Sequence, residues 1–139
     1  MTASISTARP YNPALMAYLA VGLGAALGAN LRFAVATLAS ARWGGVFPYG
    51  TFIINVSGAF VIGLFLAAAG SRTGLSPLVR LFFVTGFLGG YTTFSTYAWE
   101  ALALGSNGAW TRFGLYVLGS NAMGLAGVWL GAKLGSALA

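Results

Sequence analysis

Long apolar runs alternate with short polar breaks along this chain. Charge-free stretches extend from Pro10 to Leu31, Trp43 to Ser71, Leu81 to Trp99 and Phe113 to Ala132. A helix needs about 20 apolar residues to cross a bilayer, and each stretch is of that order. Between them, Ala41–Gly45, Ser71–Pro77 and Gly105–Gly108 supply turn formers and charge. The pattern predicts an all-α membrane protein with four transmembrane helices, at Ala14–Ala41, Tyr49–Ala69, Pro77–Leu104 and Ala109–Ser136. Residues 1–13 read as a polar N-terminal tail and 14–139 as a single four-helix transmembrane domain. Trp43, Tyr49, Trp99 and Trp110 fall near predicted helix ends, where amphipathic rings settle at the headgroup level. The first segment, with Arg9 before it and small residues at Ala26–Ala29, has some features of a cleaved signal. Its apolar run is too long for one, and three equally apolar segments follow, so a retained helix is expected.

Composition sharpens this picture. Of 139 residues, 58% are hydrophobic and only 6% charged, too few charges to coat a soluble domain of this size. Cys, His and Asp are absent, which removes disulfides, thiolate or imidazole metal sites, and Ser-His-Asp or Cys-His catalysis. Glu100 is the sole acidic side chain, so no carboxylate pair exists for acid/base work. An enzyme is not expected. The net charge of +6 comes from scattered residues: Arg9, Arg32, Arg42, Arg72, Arg80, Arg112 and Lys133. Phosphate affinity needs several cations on one face, so nucleic acid is not an expected partner, whereas lone cations at the ends of apolar runs suit a lipid bilayer. With the N-terminus inside, Arg9, Arg72, Arg80 and Lys133 lie inside and Arg42 and Arg112 outside. That weak bias fits either a sparse topology code or a protein that inserts both ways up and pairs with its inverted copy.

The polar residues within the spans carry the functional signal. Glycines recur at four-residue spacing at Gly24 and Gly28, at Gly86 and Gly90, and at Gly127, Gly131 and Gly135. Such lines let helices approach closely, either inside a bundle or between copies. Arg32 continues the first line and should face protein, water or an interface. A structural role, buried or snorkelling, is favoured over substrate contact. The third span holds Gly86-Phe87-Leu88-Gly89-Gly90-Tyr91-Thr92-Thr93-Phe94-Ser95-Thr96-Tyr97 at mid-depth. Clustered glycines followed by hydroxyl residues are poor material for a continuous helix. A break in hydrocarbon must be buried in protein or line a polar cavity, where its freed carbonyls hold a cation or its freed N–H groups face an anion. The competing reading is a flexible helix whose hydroxyls bond back to the preceding turn. On the second span Thr51 and Asn55 share a face, as ion ligands or as interhelical glue; on the fourth, Tyr116 and Ser120 share one with Asn121 beside it. Phe94 and Tyr97 put two ring edges on one side of a helix. Neutral donors and ring edges suit a small anion better than a cation.

The run GFLGGYTTFST at Gly86–Thr96, with GTFIINVSG at Gly50–Gly58 and the GAxLR pattern within Gly24–Arg32, resembles the Fluc (CrcB) family of fluoride channels. The likeness covers nearly the whole chain outside the N-terminal tail. It implies a dual-topology, antiparallel homodimer in the cell inner (plasma) membrane, with two pores that passively export toxic fluoride accumulated after entry as HF. It also implies a break in the third helix, with a central structural Na+ at the dimer interface held by backbone carbonyls of Gly89 and Thr92. Along the fluoride pathway the resemblance places Asn55, Thr51, Phe94, Tyr97, Ser95, Thr96, Tyr116 and Ser120, and it gives Arg32 and Glu100 structural places. Two positions depart from the family pattern: Tyr97 replaces the usual second phenylalanine, and Gly124 stands where a further hydroxyl residue is common. The Tyr97 hydroxyl either alters how fluoride is passed along or offers a donor.

Two rival readings differ in class. A small four-helix, dual-topology multidrug/proton exporter needs an ionisable group in the membrane core, and Glu100, next to Trp99, is the sole candidate. A non-transporting membrane chaperone or assembly subunit would leave the mid-span break without a purpose.

Overall fold

The structure is a computed structural model describing residues 12–70 and 75–139. The tail through Tyr11, with Arg9, and the segment 71–74, with Arg72, lie outside the described residues.

Helix α1 covers Pro13–Trp43. Its start is set by Asn12, whose side-chain oxygen accepts from the N–H groups of Ala14 (3.0 Å) and Leu15 (3.3 Å), with Pro13 fitting the first turn, where no helical donor is required. It ends at Gly44, which takes a φ of 72° and returns its N–H to the Ser40 carbonyl at 2.9 Å. Helix α2 spans Tyr49–Gly70 and α6 spans Trp110–Ala137. These three helices are long and apolar enough to cross a membrane.

The third crossing in chain order, between α2 and α6, is made in pieces. Helix α3 (Pro77–Arg80) is capped by Ser76 and widens into a π-helix over Leu81–Leu88. A short α4 (Gly89–Tyr91) follows, Thr92 and Thr93 are extended, and α5 (Phe94–Ser106) completes the crossing. Among the described residues all regular structure is helical. The expected break is present, but the glycines do not make it. Gly89 holds helical angles of −63° and −36°, whereas Thr92 (−80°, 159°) and Thr93 (−151°, 114°) leave the helix. Two consecutive β-branched residues favour extended backbone, and Asn55 supplies the hydrogen bonds that the helix gives up there.

The glycines instead bring backbones together. A Cβ on Gly86 would stand 2.7 Å from the Val21 carbonyl oxygen, and one on Gly90 2.6 Å from that of Ala25. Gly24 and Gly28 face the third crossing in the same way, at the carbonyls of Phe82 and Phe87. Across the bundle, Gly63 of α2 lies against the Val128 carbonyl, while Gly131 and Gly135 of α6 lie against those of Phe60 and Leu64. The bundle is thus two tightly apposed pairs, α1 with the first half of the third crossing and α2 with α6, joined where α1 meets α2. Without a hydrophobic drive between helices in lipid, such contact is what holds spans together. The small-residue lines are therefore accounted for within a single chain.

Gly131→Val should drive a side chain into the Phe60 carbonyl and destabilise the protein by about 1–3 kcal/mol, the usual cost of overpacking. Gly114→Ala, in open space, should leave the melting temperature in detergent unchanged or slightly raised. Equal melting temperatures for the two variants would contradict this packing.

Candidate functional site

Asn55 sits on α2 opposite the break, and its amide pairs with one residue there. Its Nδ2 donates to the Thr93 carbonyl at 3.0 Å, and its Oδ1 accepts the Thr93 N–H at 2.9 Å. Because the Thr93 N–H can only donate and the carbonyl only accept, both ends of the amide are assigned without ambiguity. Buried backbone polar groups in an apolar medium need partners, and this clamp provides two where the helix has none. Thr93 then caps α5: its hydroxyl accepts the Thr96 N–H at 3.3 Å and donates to the Thr96 hydroxyl at 3.0 Å. The Ser95 hydroxyl lies 3.4 Å from the same oxygen. On the other side of the break, the Thr92 hydroxyl bonds back to the Leu88 carbonyl at 2.9 Å.

A cavity of about 230 Å³ opens beside the clamp, lined by Asn55, Thr92, Thr93, Phe94, Tyr97, Ser120 and Asn121. None of these side chains is charged. The second N–H of the Asn55 amide has no acceptor among the described residues. The Ser120 hydroxyl is buried with no hydrogen-bond partner, although a helical serine ordinarily bonds the preceding turn. Tyr97 accepts a 2.9 Å hydrogen bond from Asn121, leaving its own O–H proton available. The capped N-terminus of α5, the positive end of its dipole, begins at the same wall. Phe94, 80% exposed on the single chain, lies 5.7 Å from Tyr97 between ring centroids. Unspent donors around a neutral, partly aromatic cavity are chemically suited to a small anion.

The structure puts Thr51 and Tyr116 into a neighbouring cluster. Thr51 donates to Glu100 at 3.0 Å and Tyr116 donates to its other carboxylate oxygen at 2.7 Å, tying α2, α5 and α6 together. Both side chains are buried. Thr51 and Glu100 line a second, larger cavity of about 460 Å³ where α1, α2, α5 and α6 converge, with Arg112 on its wall. Tyr116 joins the two regions, its ring 5.2 Å from that of Tyr97. Ser95, Thr96 and Gly89 are exposed on the single chain. Arg32 is half-buried and without a hydrogen bond or ion pair among the described residues; the lone acidic side chain is held by the two hydroxyls.

Sequence reasoning set Asn121 beside the fourth-helix polar face without a role. Its pairing with Tyr97 joins α5 to α6, and spacing along one helix does not reveal a contact between two. The 2.9 Å contact between the Ser57 and Tyr91 hydroxyls, which ties α2 to α4, escaped for the same reason.

Residues 19–132 match the family model described as CrcB-like protein, Camphor Resistance (CrcB). The chain belongs to the CrcB-like family. Curated CrcB-like relatives include the fluoride-specific ion channel FluC of Roseiflexus sp. (strain RS-1), 51% identical over 89 residues, covering 64% of this chain and 72% of that protein. The protein of the same name from Chloroflexus aurantiacus is 54% identical over 86 residues, covering 62% and 68%. Fluoride-specific ion channel FluC 1 of Listeria monocytogenes is 44% identical over 90 residues, covering 65% and 72%. The matched range of the CrcB-like model contains the whole break, the clamp and both polar clusters.

Replacing Asn55 by Leu, close in size, should leave the Thr93 N–H and carbonyl unpaired at a cost of about 1–3 kcal/mol each. The expected result is a clear fall in the thermal midpoint of the purified protein; an unchanged midpoint would remove the clamp from the account.

Proposed function

We propose that this CrcB-like protein is a fluoride channel that lets fluoride leave the cell passively across the cell membrane, which it spans several times. The observation that carries this reading is the neutral cavity in which the Asn55 N–H, the Ser120 hydroxyl and the Tyr97 hydroxyl are unspent. Fluoride is small and strongly hydrated, so closely spaced donors must replace the water it sheds. Neutral donors also avoid trapping it, since conduction needs binding weak enough to release. The names of the FluC relatives point to the same ion.

Fluoride enters the cavity past Phe94, whose ring edge bears partial positive charge, and contacts Asn55, Tyr97 and Ser120. Thr51 and Tyr116 mark the route onward toward the larger cavity; both hydroxyl protons are held by Glu100 and must turn from it to meet the ion. Ser95 and Thr96 flank the entrance from the first turn of α5. Nothing in this route makes or breaks a covalent bond, and the protein is a channel and not an enzyme.

The working unit we infer is an antiparallel homodimer with two pores. Ser95, Thr96 and the Gly89 backbone are exposed on the single chain at membrane depth, where lipid offers no hydrogen bonds. A second copy covering these groups removes the cost. Gly89 also bears on the expected Na+. In an unbroken helix its carbonyl would accept the Thr93 N–H, but that donor is spent on Asn55. A freed, exposed carbonyl at Gly89 and the extended Thr92 fit a hard monovalent cation in oxygen type, and two copies would double the donors. The ion would offset anion charge and brace the break.

The exporter reading needs a carboxylate that trades protons for substrate. Glu100 is outside the donor-lined cavity and engaged by two hydroxyls, so that reading gains nothing from the geometry.

Expressed in cells stripped of their own fluoride export, the chain should restore growth in fluoride medium. Asn55→Asp, which places negative charge in the cavity, and Phe94→Ile, which removes the ring edge, should fail to restore it at equal membrane abundance. Growth restored equally by all three proteins would contradict the assigned route.

A further inference from the structure

Tyr97 carries a hydroxyl at a position where a bare ring edge would suffice to line the cavity, and the structure gives that hydroxyl a fixed direction. The Asn121 Nδ2 lies 2.7 Å from the Val117 carbonyl and 2.9 Å from the Tyr97 oxygen. A carbonyl only accepts, so the amide must turn its NH₂ toward Val117; the opposite orientation would set two acceptors together. One N–H is then used on Val117, one turn back on α6, and the other on Tyr97. The tyrosine oxygen is therefore an acceptor toward Asn121, and its own proton points elsewhere. No acceptor for that proton exists among the described residues. The ring is held by contact with the buried Tyr116 ring at 5.2 Å and by the Asn121 hydrogen bond, with Phe94 at 5.7 Å.

We propose that Asn121 is a positioning residue which, by donating to Tyr97, obliges the Tyr97 hydroxyl to donate to the anion in the cavity. The proposal rests on the fluoride-channel reading above. It makes Tyr97 a third hydrogen-bond donor beside Asn55 and Ser120, and so a determinant of how tightly this chain holds fluoride in transit. Without Asn121 the hydroxyl is free to present its oxygen lone pairs, which repel an anion, as readily as its proton. A donor that presents either end contributes far less than one held in a single orientation. Fluoride accepts stronger hydrogen bonds than larger halides do, so the same donor also favours fluoride over chloride.

The test is fluoride efflux from proteoliposomes, followed with a fluoride electrode over a range of internal fluoride concentrations. Tyr97→Phe should raise the concentration giving half-maximal flux by about tenfold, the scale of one hydrogen bond to a charged partner. Asn121→Leu should raise it by at least about threefold, and adding it to Tyr97→Phe should produce no further rise, since its target is gone. A purely structural role for Asn121 would show equally in both backgrounds. The proposal is overturned if Asn121→Leu leaves half-saturation unchanged, or if its effect persists undiminished beside Tyr97→Phe. Should the leucine variant fail to fold, Asn121→Ala, which also lacks the donor, takes its place under the same criteria. Absence of flux from the unaltered protein would overturn the channel reading itself, whereas normal flux with insensitive variants would overturn only the part assigned to Asn121.

Discussion

Everything distinctive in this molecule follows from opening a helix inside hydrocarbon without leaving its backbone unpaired. Lipid supplies no hydrogen bonds, so Thr93 keeps its extended conformation only because the Asn55 amide takes both its N–H and its carbonyl. That single pairing ends α4, starts α5, directs a helix N-terminus at the cavity and frees the Gly89 carbonyl of its helical donor. One neutral side chain thereby leaves a donor at the cavity wall and a carbonyl without its helical donor at the same break.

The chain places charge sparingly and keeps it off the cavity. Glu100 accepts hydrogen bonds from the hydroxyls of Thr51 and Tyr116 away from the smaller cavity, and Arg32 lies on α1 outside its lining. A buried cation in the cavity would bind an anion tightly and hold it. Dipoles and ring edges offer enough to replace hydration without a deep well. The close backbone contacts of α1 with the third crossing and of α2 with α6 complement this arrangement, because in the proposed channel donors set by closely packed helices would not need to reorganise for the ion.

Much of this was legible in the sequence, for identifiable reasons. Apolar run length marks spans directly, which is why α1, α2 and α6 fall within two residues of the expected limits at each end. Asn55, Phe94, Tyr97 and Ser120 were legible because polar or aromatic residues at mid-span depth need a reason to be there, and the structure brings all four to one cavity. The break was expected within Gly86–Tyr97 and falls there, at Thr92 and Thr93. The part the glycines play was not legible: close packing against α1 occupies Gly86 and Gly90, and the backbone opens at the two threonines. Contacts that cross between helices, such as Asn55 with Thr93 and Asn121 with Tyr97, leave no mark in local spacing.

The most direct measurement records fluoride and chloride together, with two electrodes, as anions leave proteoliposomes under a valinomycin and K+ clamp. The donor-lined neutral cavity predicts rapid fluoride release with chloride retained. Release of both ions at similar rates, or of neither from folded protein, would contradict it.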